Sequence, residues 1–275
     1  MLPVPAPAPP AAPLRMPPPP DSSPTTPADF LLVLPAYREL NRLPRFLHSL
    51  TKALAPAPWA TEILVVDDGS PADEQKAMAA LILPVRDGHC QVLAPRLLAR
   101  NRLKGDAILE GWRSRPARWL AFADADGAAG AEEVLRVFGD INSRDPSGAS
   151  AYFADRHVPG KSANRRTPSR RFLSSLFSAL AGFALRVPPI DFQCGFKVVP
   201  GPILPRIADR LEGRGLCFDL ALFLALRSEG VPVRQFPVTW RDQPEGKVSP
   251  WRNGPAMLAG LWKLAVRGAN PKARP

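Results

Sequence analysis

Short apolar runs alternating with helical stripes constrain this chain more than any other feature. Residues 30–34 (FLLVL), 62–66 (EILVV) and 119–123 (WLAFA) are nearly uniformly apolar. They are too short for buried helices and read as strands covered on both faces. Between the first two, Leu43, Phe46, Leu47, Leu50 and Leu54 recur at helical spacing within residues 41–54. Ser70 and Pro71, with Asp73 and Glu74 behind them, predict a capped helix start. Residues 91–94 predict a third strand and residues 104–113 a helix. Beyond the fourth strand, residues 132–141 predict a helix, 149–153 a strand, 172–185 an apolar helix, 196–199 a strand, 217–228 a buried helix and 233–238 a strand. This order implies an α/β fold, a mostly parallel sheet with helices on both faces. No internal repeat interrupts it.

The ends of the chain carry a different composition. Twelve of its 35 prolines lie in the first 27 residues. Proline lacks a backbone donor, so residues 1–27 are expected to be a disordered, polyproline-like tail outside the folded unit. They lack the basic start and unbroken apolar core of a secretory leader. The longest apolar stretch, residues 172–185, is bounded by Arg171 and Arg186 and falls short of the ~20 residues that a membrane-spanning helix needs. Three cysteines without CxxC spacing argue against a disulfide framework or a cysteine zinc site, and imply a reducing, cytoplasmic setting. His48, His89 and His157 form no ligand motif.

The net charge of +11 is local rather than general. Residues 156–171 hold six basic residues and no acid, and the chain beyond Glu245 holds six more, again with no acid. The remaining 24 basic residues are matched by 25 acidic ones. Two basic patches on a neutral body suit phosphate-bearing partners. In the C-terminal patch, Leu258, Leu261, Trp262 and Ala265 share one helical face. Lys263, Arg267 and the interface-favouring Trp251 and Trp262 add to this. Residues 251–275 are therefore expected to include a basic amphipathic helix in peripheral contact with an anionic membrane.

Ligands of open α/β sheets bind beyond the carboxyl ends of the strands. There the first strand gives Pro35-Ala36-Tyr37-Arg38-Glu39, the second Asp67-Asp68-Gly69-Ser70 and the fourth Asp124-Ala125-Asp126. Carboxylates gathered at one edge repel unless a cation sits among them. A divalent ion on a diphosphate fits, because hard cations take carboxylate and phosphate oxygens.

LPAYRE, VVDDGSP, NRLKGDAILEGW, FADADGA, DFQCGFKVVP and FDLALFLA…VTW, in this order, resemble the family 2 glycosyltransferases. Among them they are most similar to the branch of dolichyl-phosphate β-glucosyltransferases and other polyprenyl-phosphate glycosyltransferases. The resemblance spans most of the folded part. It implies the GT-A fold, a single Rossmann-like domain over residues 28–250, and inverting, metal-dependent transfer of a hexose, glucose from UDP-glucose, to a polyprenyl phosphate. Pro35, Tyr37 and Glu39 would then flank the nucleoside, with Asp67 or Asp68 accepting its hydrogen bonds. Asp124 and Asp126 match the DxD that holds Mg²⁺ or Mn²⁺ on the donor diphosphate, with Ala125 between them. Side-chain alternation would place both aspartates on one side. Some relatives carry a further glutamine ligand where this chain has Ala128, so a phosphate or water oxygen would complete the coordination. Lys104 would face the diphosphate. Arg165, Arg166, Arg170 and Arg171 would hold the acceptor phosphate. Asp191, Gln193, Gly195 and Lys197 would line the sugar and acceptor pocket. Cys194 is expected to be a packed thiol. Asp219 is the candidate base for a hydroxyl acceptor, although a phosphate acceptor is already ionised and needs none.

Two other readings share parts of this pattern. One is a soluble family 2 enzyme with a non-lipid acceptor. The other is a non-enzymatic protein that binds nucleotide sugar or membrane. A nucleotidylyltransferase would need a Gly-rich phosphate loop after the first strand, where LPAYRE stands instead. A nucleic-acid partner is not expected, because neither basic patch interleaves aromatics and the acidic edge would repel a phosphate backbone.

Overall fold

A computed structural model describes residues 27–156, 162–163, 182 and 190–241. The tail 1–26, the four candidate arginines 165, 166, 170 and 171, the helix expected at 172–185 and the segment 251–275 lie outside the described residues.

The chain runs β1 (Ala28–Ala36), α1 (Leu43–Leu54), β2 (Thr61–Asp67), α2 (Ala72–Leu81), β3 (Val85–Asp87), β4 (Cys90–Val92), β5 (Arg96–Leu97), α3 (Lys104–Ser114), β6 (Ala117–Ala123), α4 (Ala131–Arg144) and β7 (Ala151–Asp155). Then come β8 (Ser162–Ala163), β9 (Phe196–Pro200), α5 (Leu204–Leu211), α6 (Phe218–Ser228), β10 (Val233–Pro237) and β11 (Trp240–Arg241). The main sheet has the order β10-β7-β9-β6-β1-β2-β4-β3, with β5 also pairing to β2. Strand β1 lies at its centre, parallel to both β2 and β6. The small pair β8 and β11 stands apart.

The alternation of β1 divides the core in two. Phe30, Leu32 and Leu34 pack with α1 and α4 on one face. Leu31 and Val33 pack with α3, α5 and α6 on the other. This two-sided burial is why the run reads as continuously apolar. The indole N–H of Trp112 donates to the Ala121 carbonyl at 3.0 Å and fastens α3 to β6.

The expected strands and helices within the described residues are present, with one change of direction. Strand β9 runs antiparallel to both β6 and β7, inside a sheet that is otherwise parallel except for the β3–β4 hairpin. The apolar run of β9 buries well in either direction. The register of β9 on β6 pairs Ala123 with Phe196 and Phe122 with Lys197. This sets Gly195 opposite Asp124, and the Asp124 N–H donates to the Gly195 carbonyl at 2.8 Å.

Candidate active site

The three acidic segments lie at the carboxyl ends of adjacent strands β2, β1 and β6, which puts them within about 10 Å across the sheet. The first aspartate of the β2 end, Asp67, faces inward. Its carboxylate accepts from the Ser70 N–H at 2.9 Å, the Ser70 hydroxyl at 2.6 Å and the Gln75 amide at 2.8 Å. The Ser70 hydroxyl in turn accepts from the Arg38 N–H at 2.8 Å. Ser70 is therefore not the cap of α2. It joins the ends of β1 and β2 and fixes Arg38 in a left-handed conformation, φ 56°. Asp67 is thus engaged within this turn.

Asp68 accepts from the Arg102 N–H at 2.7 Å. Burial raises its pKa, while the N–H groups of Arg102 and Leu103 pull the other way. The next residue, Lys104, reaches Asp124 with Nζ 2.6 Å from Oδ1. The stretch 102–104 thus spans from the β2 end to the β6 end. One close backbone approach and one unusual backbone conformation accompany this. Gly69, at φ 73°, lies so near the loop that a Cβ would fall 2.2 Å from the Arg100 carbonyl carbon. Leu103 sits at φ 71° and ψ 158°, a region otherwise almost confined to glycine, at the residue before α3 begins.

Residues 124–126 lie in a turn beyond β6, so strand alternation does not govern them and the two aspartates meet different partners. Asp124 is held by Lys104 and lies over Gly195, whose added Cβ would fall 1.8 Å from Asp124 Oδ2. Asp126 accepts from the Ala128 N–H at 3.0 Å. Burial and the nearby Asp124 charge push its pKa up to about 6. Among the described residues no group of three or more His, Cys, Asp or Glu side chains could hold a metal by itself. Two crowded carboxylates, one of them raised by burial and by its neighbour, fit a hard divalent cation whose remaining positions would be filled by phosphate or water oxygens. Burial works against the charge on Lys104, but Asp124 and Asp219 outweigh it and hold its pKa above the ordinary value.

Of the other expected residues, Tyr37 is exposed at the β1 end, with the Arg38 guanidinium 5.6 Å from its ring centre. Pro35 is half-buried. Glu39 is buried and chelated by Arg42 at 2.6 and 2.8 Å, which anchors the start of α1. Ala125 packs into the α1 side of the core. Gln193 is half-buried. Asp191 does not face an open pocket: it is buried against Arg156, with Nε 2.8 Å from Oδ2 and Nη2 3.1 Å from Oδ1. Arg156 is therefore an internal strut and not part of an exposed basic loop. Lys197 does not line the pocket either, because it is fully buried. Its ammonium donates to Asp219 and to the Cys194 carbonyl, each at 2.6 Å. Asp219 is thereby engaged by a lysine, not poised as a free base. The Cys194 thiol is buried and pushed up to about 12, as a packed thiol should be.

Gly195→Ala is expected to displace Asp124. It should lower kcat about 100-fold or more, as a misplacement of about 1 Å at a site can, at a cost of about 1–3 kcal/mol in stability. Steady-state kinetics beside thermal unfolding checks this, and near-normal kcat would mean that Asp124 need not lie where it does.

Residues 31–197 match the family described as Glycosyl transferase family 2. The dolichyl-phosphate beta-glucosyltransferase of Mus musculus is 27% identical over 252 residues, covering 85% of this chain and 77% of its own length. That of Homo sapiens is 28% identical over 252 residues with the same coverage. Among solved structures, glucosyl-3-phosphoglycerate synthase from Mycobacterium tuberculosis, in complex with Mn²⁺, UDP and phosphoglyceric acid, superposes with a TM-score of 0.59 at 14% identity. That match covers 90% of this chain and 80% of that one.

Proposed function

Because the chain belongs to glycosyl transferase family 2, we propose that it transfers glucose from UDP-glucose, with inversion, to a polyprenyl phosphate of the dolichyl type, with Mg²⁺ or Mn²⁺ at the donor. That it is a glycosyltransferase of GT-A architecture is the premise. The observation that carries the rest is the meeting of Asp124, Asp126 and Lys104 at the sheet edge. Two carboxylates and one ammonium at that point suit a diphosphate with its counter-ion better than a neutral ligand. The sugar and the lipid are supported by the two dolichyl-phosphate beta-glucosyltransferases to which the chain is similar.

In this reading Tyr37 and Asp68 hold the nucleoside, Tyr37 by its exposed ring and Asp68 by accepting hydrogen bonds. Asp124 and Asp126 would hold the divalent cation. When bound, it supplies positive charge that stabilises the departing nucleoside diphosphate. Lys104 adds charge on the same side. The acceptor phosphate oxygen forms its bond to the anomeric carbon from the opposite face. The bond to the donor phosphate breaks, and its electron pair leaves with UDP. The phosphate is ionised at neutral pH, so the step needs positioning and no base. The engagement of Asp219 by Lys197 agrees with that. Arg165, Arg166, Arg170 and Arg171 are the proposed phosphate holders, and residues 251–275 the proposed contact with an anionic, cytoplasmic membrane face. Among the described residues no helix is long and apolar enough to cross a membrane.

Arg170→Ala should raise the acceptor KM roughly tenfold and leave the donor KM unchanged, as loss of one charge-assisted phosphate contact does. An unchanged acceptor KM would remove Arg170 from that site. The function itself is tested by incubating the protein with Mg²⁺, polyprenyl phosphate and a panel of radiolabelled nucleotide sugars. Label from UDP-glucose entering the lipid phase is the expected result. Turnover on a water-soluble acceptor without lipid would overturn the lipid reading.

A further inference from the structure

We propose that the ion pair between the buried Lys197 and the half-buried Asp219 is a positioning device for the donor site, holding Lys104 and Asp124 in place from behind. This rests on the reading of that site given above. Lys197 reaches its position because β9 is antiparallel: the register sets it directly opposite Phe122 of β6 and Phe153 of β7. Its ammonium lies 5.1 and 5.0 Å from those two ring centres and is fully shielded from water. An isolated ammonium there would be costly, and Asp219, in the first turn of α6, compensates it at 2.6 Å.

Two connections lead from this pair to the donor site. The first runs through the backbone. Lys197 donates to the Cys194 carbonyl at 2.6 Å, and the next residue is Gly195, on which Asp124 rests. The second runs through charge and the Phe122 ring. The Lys104 ammonium lies 4.9 Å from the Phe122 ring centre, so the two lysines share that ring. Asp219 is a counter-charge for both of them. The order is therefore Asp124, Lys104, Asp219, Lys197, with signs alternating and only the last fully buried. A buried ion pair is a poor way to gain stability, since apolar residues of similar volume usually do as well. What apolar residues would not reproduce is the grip on the Cys194 carbonyl and the charge facing Lys104.

That difference supplies the test. Asp219→Leu leaves the fully buried Lys197 uncompensated and Lys197→Met leaves the half-buried Asp219 so, and each should lower the melting temperature, the first more than the second. The double variant removes both charges and should recover much of that loss. If the pair positions the site, the double variant stays at least 10-fold down in kcat despite its recovered stability. A crystal structure of it then shows the Lys104 ammonium moved off Asp124. A purely structural pair behaves otherwise: kcat returns with the melting temperature and the Lys104–Asp124 contact persists, which would overturn the proposal. The crystallographic comparison reads the positioning directly, so it decides even if the wild-type protein transfers no glucose to polyprenyl phosphate. That separate result would count against the proposed function.

Discussion

Asp126→Asn is expected to abolish cation-dependent transfer while making the metal-free protein more stable. Both effects follow from the burial of Asp126 and its crowding against Asp124. Burial and that neighbour push the Asp126 carboxyl from 3.8 up to about 6, so its ionised form is disfavoured in the folded state. A raised acid contributes stability that is fully present below about pH 3.8 and is lost as the pH rises through about 6. At neutral pH the native carboxylate is thus a liability in the absence of a cation. At full effect the displacement is worth about 3 kcal/mol, and partial exposure reduces this to about 1–2 kcal/mol. Asparagine removes the charge at nearly constant shape. Unfolding in chelator at pH 7.5 should show the melting temperature raised by about 3–6 °C, with the gain shrinking toward pH 4. Under activity conditions the same variant should lose about 100-fold or more in kcat. A variant that is both active and no more stable would mean that Asp126 neither meets a cation nor is crowded.

Lys104→Met is expected to tighten cation binding and slow the reaction. The Lys104 ammonium sits 2.6 Å from Asp124 Oδ1, on an oxygen that the cation would share. Removing this competitor should strengthen Mn²⁺ affinity roughly tenfold, a modest share of the several kcal/mol that two charges exchange at such range. The loss of positive charge beside the departing diphosphate should lower kcat about 100-fold. Opposite signs in affinity and rate are the signature, read by Mn²⁺ titration and steady-state kinetics. Weakened affinity together with a lower rate would point to general damage at the site.

Much of this was legible in the sequence, for reasons that differ by element. The runs at 30–34, 62–66 and 119–123 declare themselves because a strand buried on both faces has no polar side. The stripe of α1 declares itself because only one of its faces is buried. The acids beyond the strands stand out because carboxylates gathered at one sheet edge repel one another. Other features depend on partners distant in the chain. Nothing in FKVV gives the direction of β9. A basic residue in a basic stretch reads as exposed, yet Arg156 is buried because Asp191 comes to meet it. Lys197 reads as a pocket residue, yet Asp219, 22 positions later, allows it to be fully buried. Ser70 has the chemistry of a helix cap and is diverted to Arg38 and Asp67. Helix α5 is not legible in the sequence because its stripe, Leu204, Ile207, Ala208 and Leu211, is only two turns long and the helix carries a proline.

One titration tests the centre of the account: UDP-glucose added to the protein in a calorimeter, with Mn²⁺ and then with chelator. Binding heat that requires Mn²⁺ and vanishes in Asp126→Asn is the predicted result. Heat that is indifferent to both the cation and the substitution, or no heat at all, would contradict a sugar-nucleotide site built on Asp68, Asp124 and Asp126.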